Sequence, residues 1–319
     1  MVIKHLVFSG GAQYGVTSYS AIEHIKEAGY IKYDNIESIY ATSAGTVNAV
    51  LFCLNIEKTL MYDYIINRHW SKDFLLNPDS FTNLIFKKGL YEMNCFDNFF
   101  KPLFAIKDID IDITMKDFYD KFKIFMEFNT LCINSFEIKK INHITYPDIP
   151  VIQAVKMSSS IPLIFTPVYF DNNYYIDGGV LVNYPLNSCI NNKKCDLNEI
   201  LGIRVNFDIN KKNEMDVMNC SVSIPNDDNE YLTNNSEKEE LSDKSNIITY
   251  LQHLLLNIIR MLDTSHIQTN ICNELIIYSN GLSLENIKNF VTNINIRKQL
   301  LHDGEIYAQQ YIEKLDSDN

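Results

Sequence analysis

Ile36-Glu37-Ser38-Ile39-Tyr40-Ala41-Thr42-Ser43-Ala44-Gly45-Thr46-Val47-Asn48-Ala49-Val50-Leu51 changes character at its middle. Residues 36–40 read as a strand, and residues 46–54 continue as an apolar helix. Between them, Ala41, Ala44 and Gly45 are small and surround Ser43. A chain that leaves a strand and enters a helix within a few residues needs such neighbours, and the turn leaves the serine hydroxyl standing above the sheet edge. A hydroxyl is a weak nucleophile at its free pKa, so Ser43 is a candidate only if a base meets it in space. Turns of this kind also join strands to helices where no chemistry occurs.

Upstream, the apolar run 3–8 reads as a first strand and ends at Ser9-Gly10-Gly11-Ala12-Gln13-Tyr14-Gly15. Val16, Tyr19, Ile22 and Ile25 then recur at helical spacing, closed by Gly29. The order is strand, helix, strand, helix, which predicts an α/β fold: three α/β/α layers around a mostly parallel sheet. Glycines between the first strand and its helix let backbone N–H groups approach an anion, and the helix N-terminus adds a favourable partial charge. The loop lacks the Lys-Ser/Thr ending of a P-loop and the G-x-G-x-x-G spacing, so a nucleotide is a poor fit. The oxyanion of an acyl-transfer intermediate and a phosphate both remain.

Downstream, residues 81–104 are aromatic and read as helical, with a cap signal at Asn94-x-x-Asp97; a second, Thr114-x-x-Asp117, opens a short helix before a strand over 124–134. Further strands are expected at 168–176, 200–207 and 275–278, and helices at 248–262 and 295–315. Tyr175-Ile176-Asp177-Gly178-Gly179-Val180 puts an acid at the end of an aromatic strand, with two glycines leaving it accessible. The carboxyl ends of strands are where open α/β sheets build their sites, although Asp-Gly is also a common turn signal.

Composition narrows the classes. A net charge of -12 argues against general nucleic-acid binding, which needs a positive surface to release counterions. Residues 208–244 hold ten acids against four bases, so a net of -6 is local. The stretch 208–246 cannot bury enough apolar area to offset chain entropy and reads as a disordered acidic insertion within a single domain, 1–319. No apolar run is long enough to span a bilayer. The start of the chain has no charged leader or cleavage site and reads as a strand, not a signal peptide. Seven scattered cysteines without a C-x-x-C pair fit a reducing cytoplasm and neither a disulfide framework nor a structural zinc.

Taken together and in this order, the glycine loop, the serine turn and the Asp-Gly-Gly segment resemble the patatin-like phospholipase family. The similarity extends through residues 152–162 and 165–168 before the aspartate and 180–186 after it, so it runs from about 2 to about 187, and more faintly over 275–312. The resemblance implies a lipid acyl hydrolase with no metal and no cofactor. It implies a catalytic dyad of Ser43 and Asp177. Gly10, Gly11, Ala12 and Ala44 would form the oxyanion hole, supported by Gly15, Ala41, Gly45, Gly178 and Gly179. Phospholipid or another lipid ester is the expected substrate, met at a membrane surface, with the protein cytoplasmic or membrane-peripheral. Two positions depart from the family: Ala41 where glycine is usual, and Tyr14 where a basic residue is common. His253, His266 and His302 follow Asp177 as a triad would require, but none sits in a catalytic context. Phe81, Leu84, Phe86, Phe96, Phe99, Phe165, Val168 and Tyr169 are candidates for an acyl groove, and Lys87-Lys88 and Lys139-Lys140 for headgroup contact. A weakened lipid-binding module on the same scaffold, an acyltransferase, and an acidic insertion that recruits a basic partner are the other readings. Oligomeric state is not encoded in any of these features.

Overall fold

The computed structural model describes residues 2–74, 78–193, 196–207, 271–279, 281 and 283–317, with isolated positions between 247 and 258. The acidic stretch 208–246 and most of the expected helix at 248–262 lie outside the described residues, as does His266. The strands are β1 (His5–Phe8), β2 (Ser38–Thr42), β3 (Gly89–Tyr91), β4 (Phe125–Cys132), β5 (Glu137–Ile141), β6 (Leu163–Phe165), β7 (Val168–Phe170), β8 (Asn173–Asp177), β9 (Ile200–Asn206) and β10 (Glu274–Tyr278). The helices are α1 (Gly15–Glu27), α2 (Ala44–Leu54), α3 (Lys58–Asn67), α4 (Ser71–Phe74), α5 (Pro78–Phe86), α6 (Asn94–Ile106), α7 (Met115–Phe122), α8 (Val151–Ser159), α9 (Leu186–Lys193), α10 (Leu284–Thr292) and α11 (Ile294–Ser317).

The fold is α/β with a mixed, mostly parallel central sheet. Its order is β10-β9-β1-β2-β4-β8-β7, with β5 also paired to β4. The five strands from β10 to β4 run parallel, whereas β8 and β5 run antiparallel to β4, and β7 antiparallel to β8. Side chains alternate across the sheet as the pleat requires. Leu6, Phe8, Ile39 and Ala41 face the larger core with α1, α2 and α8, and Val7 and Tyr40 face a smaller one under α9. Two helical layers thus sandwich the sheet, one much thicker than the other.

Three expectations need correction. Residues 81–104 are not one helix: α5 ends at Phe86, β3 pairs in parallel with β6, and α6 starts afresh. Asn94-x-x-Asp97 does not cap α6, because Met93 occupies the cap position without a side-chain bond and Asp97 instead pairs with Lys156 at 2.6 Å. The strand expected over 168–176 is a hairpin, turned by Asp171 and Asn172, both at positive φ (46° and 58°). Two such residues make the tight turn whose twist matches antiparallel strands. The Thr114 cap does form, its hydroxyl accepting the Asp117 N–H at 3.0 Å.

Candidate active site

β2 delivers Ser43. The serine sits between β2 and α2 at φ 54°, ψ -128°, a conformation that side-chain-bearing residues rarely adopt and that costs roughly 1–3 kcal/mol. What holds it there is packing on all sides. A Cβ at Gly45 would stand 2.7 Å from the Phe8 carbonyl oxygen and 2.8 Å from the Ser9 carbonyl oxygen, so only glycine lets α2 start this close to β1. Ala41 is fully buried in the larger core, and the turn forms with alanine there. Ser158, at the end of α8, accepts the Ser43 N–H at 2.9 Å and donates to the Asn129 carbonyl at 2.6 Å. This tether was not visible as a site residue in the sequence; its only sign was membership of a serine run.

β8 delivers Asp177 from the other side. β4 overshoots β2: Thr42 lies opposite Asn129, and β8 pairs with the overhang, Asp177 opposite Thr130. The aspartate therefore reaches the carboxyl edge of the parallel strands although its own strand runs against them. Ser43 Oγ donates to Asp177 Oδ2 at 2.5 Å, and the Gly179 N–H donates to Oδ1 at 2.7 Å. Both residues are buried, 4% and 3% exposed. Burial pushes the Asp177 carboxyl up to about 7, against the opposing pull of the bonds from Ser43 and Gly179. The two glycines are sterically required: a Cβ at Gly178 would collide with the Asn129 carbonyl, and one at Gly179 would stand 2.9 Å from Asp177 Oδ1.

The glycine loop closes the third side. Gly11 leads into a 3-10 turn, Ala12–Tyr14, with Ala12 at φ 48°. Among the described residues the N–H groups of Gly11, Ala12 and Ala44 have no acceptor. Gly10, expected with them as a donor, commits its N–H to the Asn183 carbonyl at 3.2 Å. Its contribution is space instead, since a Cβ there would come within 2.9 Å of Ser43 Cβ. A Cβ at Gly15 would likewise reach Ala44 Cβ at 2.9 Å, so the loop and the α2 N-terminus touch. Tyr14, in the position where a basic residue is common, is buried in the larger core.

A cavity of about 180 Å³ opens over Ser43. Gln13, Ser43, Asn48 and Ser159 are its main polar residues; the rest of the wall is apolar, including Val16, Leu51, Ile65, Trp70, Phe74 and Phe290. Of the aromatic groove candidates, Phe96, Phe99 and Phe165 line it. Val168 is packed in the core, Phe86 and Tyr169 are exposed, Leu84 packs outside the cavity against the Tyr91–Phe165 cluster, and the Phe81 side chain lies outside the described residues. Lys139 and Lys140 are engaged by Glu137 and Glu127 on and beside β5, away from the cavity lining. No histidine lines the cavity among the described residues, and His302 is exposed on α11. Among the described residues no group of three His, Cys, Asp or Glu side chains is arranged to hold a metal ion, and no helix is long and apolar enough to cross a membrane.

A serine bonded to a buried carboxyl of raised pKa, beside unengaged backbone N–H groups and under an apolar cavity, can carry out acyl transfer. Residues 6–190 match the family model for patatin-like phospholipases. The chain is 32% identical over 231 residues to the probable lipid hydrolase 463L of Invertebrate iridescent virus 6, covering 66% of this chain and 72% of that one. It is 27% identical over 203 residues to the protein R571 of Acanthamoeba polyphaga mimivirus, covering 58% of this chain and 60% of that one. Its fold is similar to that of VipD from Legionella pneumophila, with a TM-score of 0.52 at 15% identity over 98% of this chain and 67% of that one.

Proposed function

This chain belongs to the patatin-like phospholipase family, and on that premise we propose that it hydrolyses lipid esters of the phospholipase A or lysophospholipase type through a Ser43–Asp177 dyad. In this reading Asp177 Oδ2 takes the Ser43 proton as Oγ attacks the ester carbonyl carbon. The carbonyl oxygen becomes an oxyanion and accepts bonds from the N–H groups of Gly11, Ala12 and Ala44. Collapse of the intermediate breaks the ester bond, and the departing alcohol takes the proton held by Asp177. Water then attacks the acyl-serine, Asp177 accepts its proton, and collapse returns a proton to Ser43 Oγ and releases the fatty acid. The apolar cavity holds the acyl chain, which is why its wall carries so few polar groups.

The observation that carries this is the 2.5 Å bond between Ser43 Oγ and Asp177 Oδ2, made across 134 residues of chain inside the cavity wall. It is tested by lipid product analysis and short-chain ester hydrolysis with wild type, Ser43→Ala and Asp177→Asn. Each variant is expected to lose turnover by roughly three orders of magnitude or more while staying folded. Full activity in Ser43→Ala would remove the assignment. A fluorophosphonate probe separates an enzyme from a lipid-binding module: it labels Ser43 only if that hydroxyl is activated.

A further inference from the structure

The end of α5 leaves two large apolar side chains in water. Ile85 and Phe86 are 76% and 75% exposed, the highest values for any large apolar side chain among the described residues. They are not isolated. Lys87 and Lys88 follow them, and Lys88 Nζ stands 5.0 Å over the ring of Tyr174. The Tyr174 ring lies 4.9 Å from that of Tyr169, which is 59% exposed on the β7–β8 hairpin. Lys88 thus joins the tip of α5, where Ile85, Phe86 and Lys87 directly precede it in the chain, to the two tyrosines of the hairpin.

The charge here differs from that of the rest of the molecule. Lys87 pairs with Glu92, and the hairpin turn contributes Asp171, so two cations stand against two anions on a chain whose total is -12. The surface can approach an anionic or zwitterionic layer without the repulsion the whole chain would suggest. Tyrosines with an apolar body and a polar tip, and lysines whose stems reach along apolar surface, are the residue types that settle at a bilayer's headgroup level. Behind Ile85 and Phe86, Leu84 packs onto the cluster of Tyr91 and Phe165, and Phe165 lines the cavity over Ser43. The exposed surface is thus the outside of a wall whose inside is the acyl cavity.

We infer that this surface docks the protein onto a phospholipid layer, with Ile85 and Phe86 inserted among the acyl chains and Lys88, Tyr169 and Tyr174 at headgroup level. The inference deepens the lipid-hydrolase reading and rests on it for its substrate, but its test does not depend on turnover. Full-length protein carrying Ser43→Ala, which leaves vesicles intact, is sedimented with phosphatidylcholine vesicles with and without an anionic lipid. The same measurement is made after adding Ile85→Ser and Phe86→Ser. The partition coefficient is expected to fall on the order of tenfold or more, because two side chains lose their apolar burial. In the otherwise wild-type chain the same pair of substitutions should leave hydrolysis of a monomeric short-chain ester unchanged, which shows that the fold and site persist. Unchanged vesicle partition overturns the inference. So does loss of a dimer in light scattering without a change in partition, which would make the surface a self-association face. If no ester is hydrolysed by the wild type yet partition falls in the variant, the docking surface stands and the hydrolase reading fails.

Discussion

Asp177 can accept the Ser43 proton only after losing its own, and burial holds that carboxyl up at about 7. A general base with a pKa near the working pH combines a useful ionised fraction with a real affinity for the proton. The rate on a soluble ester should therefore rise with pH up to about 7, level off above it, and fall close to tenfold per unit below. A profile flat from about pH 5 to 8 would mean that Asp177 is not the base. These two residues were legible because each sits in a local pattern: small neighbours at the turn, glycines after the acid. Ser158 was not, although it holds the Ser43 N–H, because its partners lie 115 and 29 residues away and nothing near it in the chain announces them. The engagement of the Gly10 N–H is hidden in the sequence for a similar reason. Glycine spacing reports where the backbone can come close, but which N–H groups stay unengaged depends on Asn183, far along the chain.

Among the elements, α1 and α11 position the glycine loop. α1 begins directly after the loop at Gly15, and α11 lies along it, close enough that a Cβ at Gly304 would stand 2.6 Å from Ser20 Cβ and collide with the Thr17 carbonyl. Ser20 Oγ donates across the same contact to the Leu301 carbonyl at 2.5 Å. Gly304→Ala should push the helices apart at a cost of roughly 1–3 kcal/mol, lowering the unfolding midpoint by several degrees. Because α1 carries the loop, esterase rate should fall with it; an unchanged midpoint would show that α11 is not a clamp. The first four elements were readable because their periods change cleanly from two to 3.6 and glycines mark the joints. β3 was not: three residues have no period, and Gly89–Tyr91 is a strand only because Leu163–Phe165 pairs with it from more than seventy residues away. The direction of β8 was equally hidden. The expectation of an acid at the sheet's carboxyl edge was met through an antiparallel strand on the β4 overhang, not through the parallel arrangement that motivated it.

For the whole molecule, a buried base is a load on stability, and the load has a definite sign. The Asp177 carboxyl has a pKa of 3.8 when free and about 7 when folded, so between those values the folded chain holds a proton that the unfolded chain has released. Stability then declines as pH rises, and the full loss is present above about 7. Three units at about 1.4 kcal/mol each set the order of magnitude at roughly 4 kcal/mol, a large share of the 5–15 kcal/mol by which domains are typically stable. Asparagine at 177 keeps the shape and the acceptor for Gly179 but has nothing to ionise. Asp177→Asn should thus match the wild type near pH 4 and become progressively more stable than it up to about pH 8, while its turnover stays depressed throughout that range. Denaturant titrations of both proteins across that range measure the difference directly. A gap that does not widen with pH would mean that the folded-state carboxyl titrates close to its free value and that Asp177 is not a base of raised pKa.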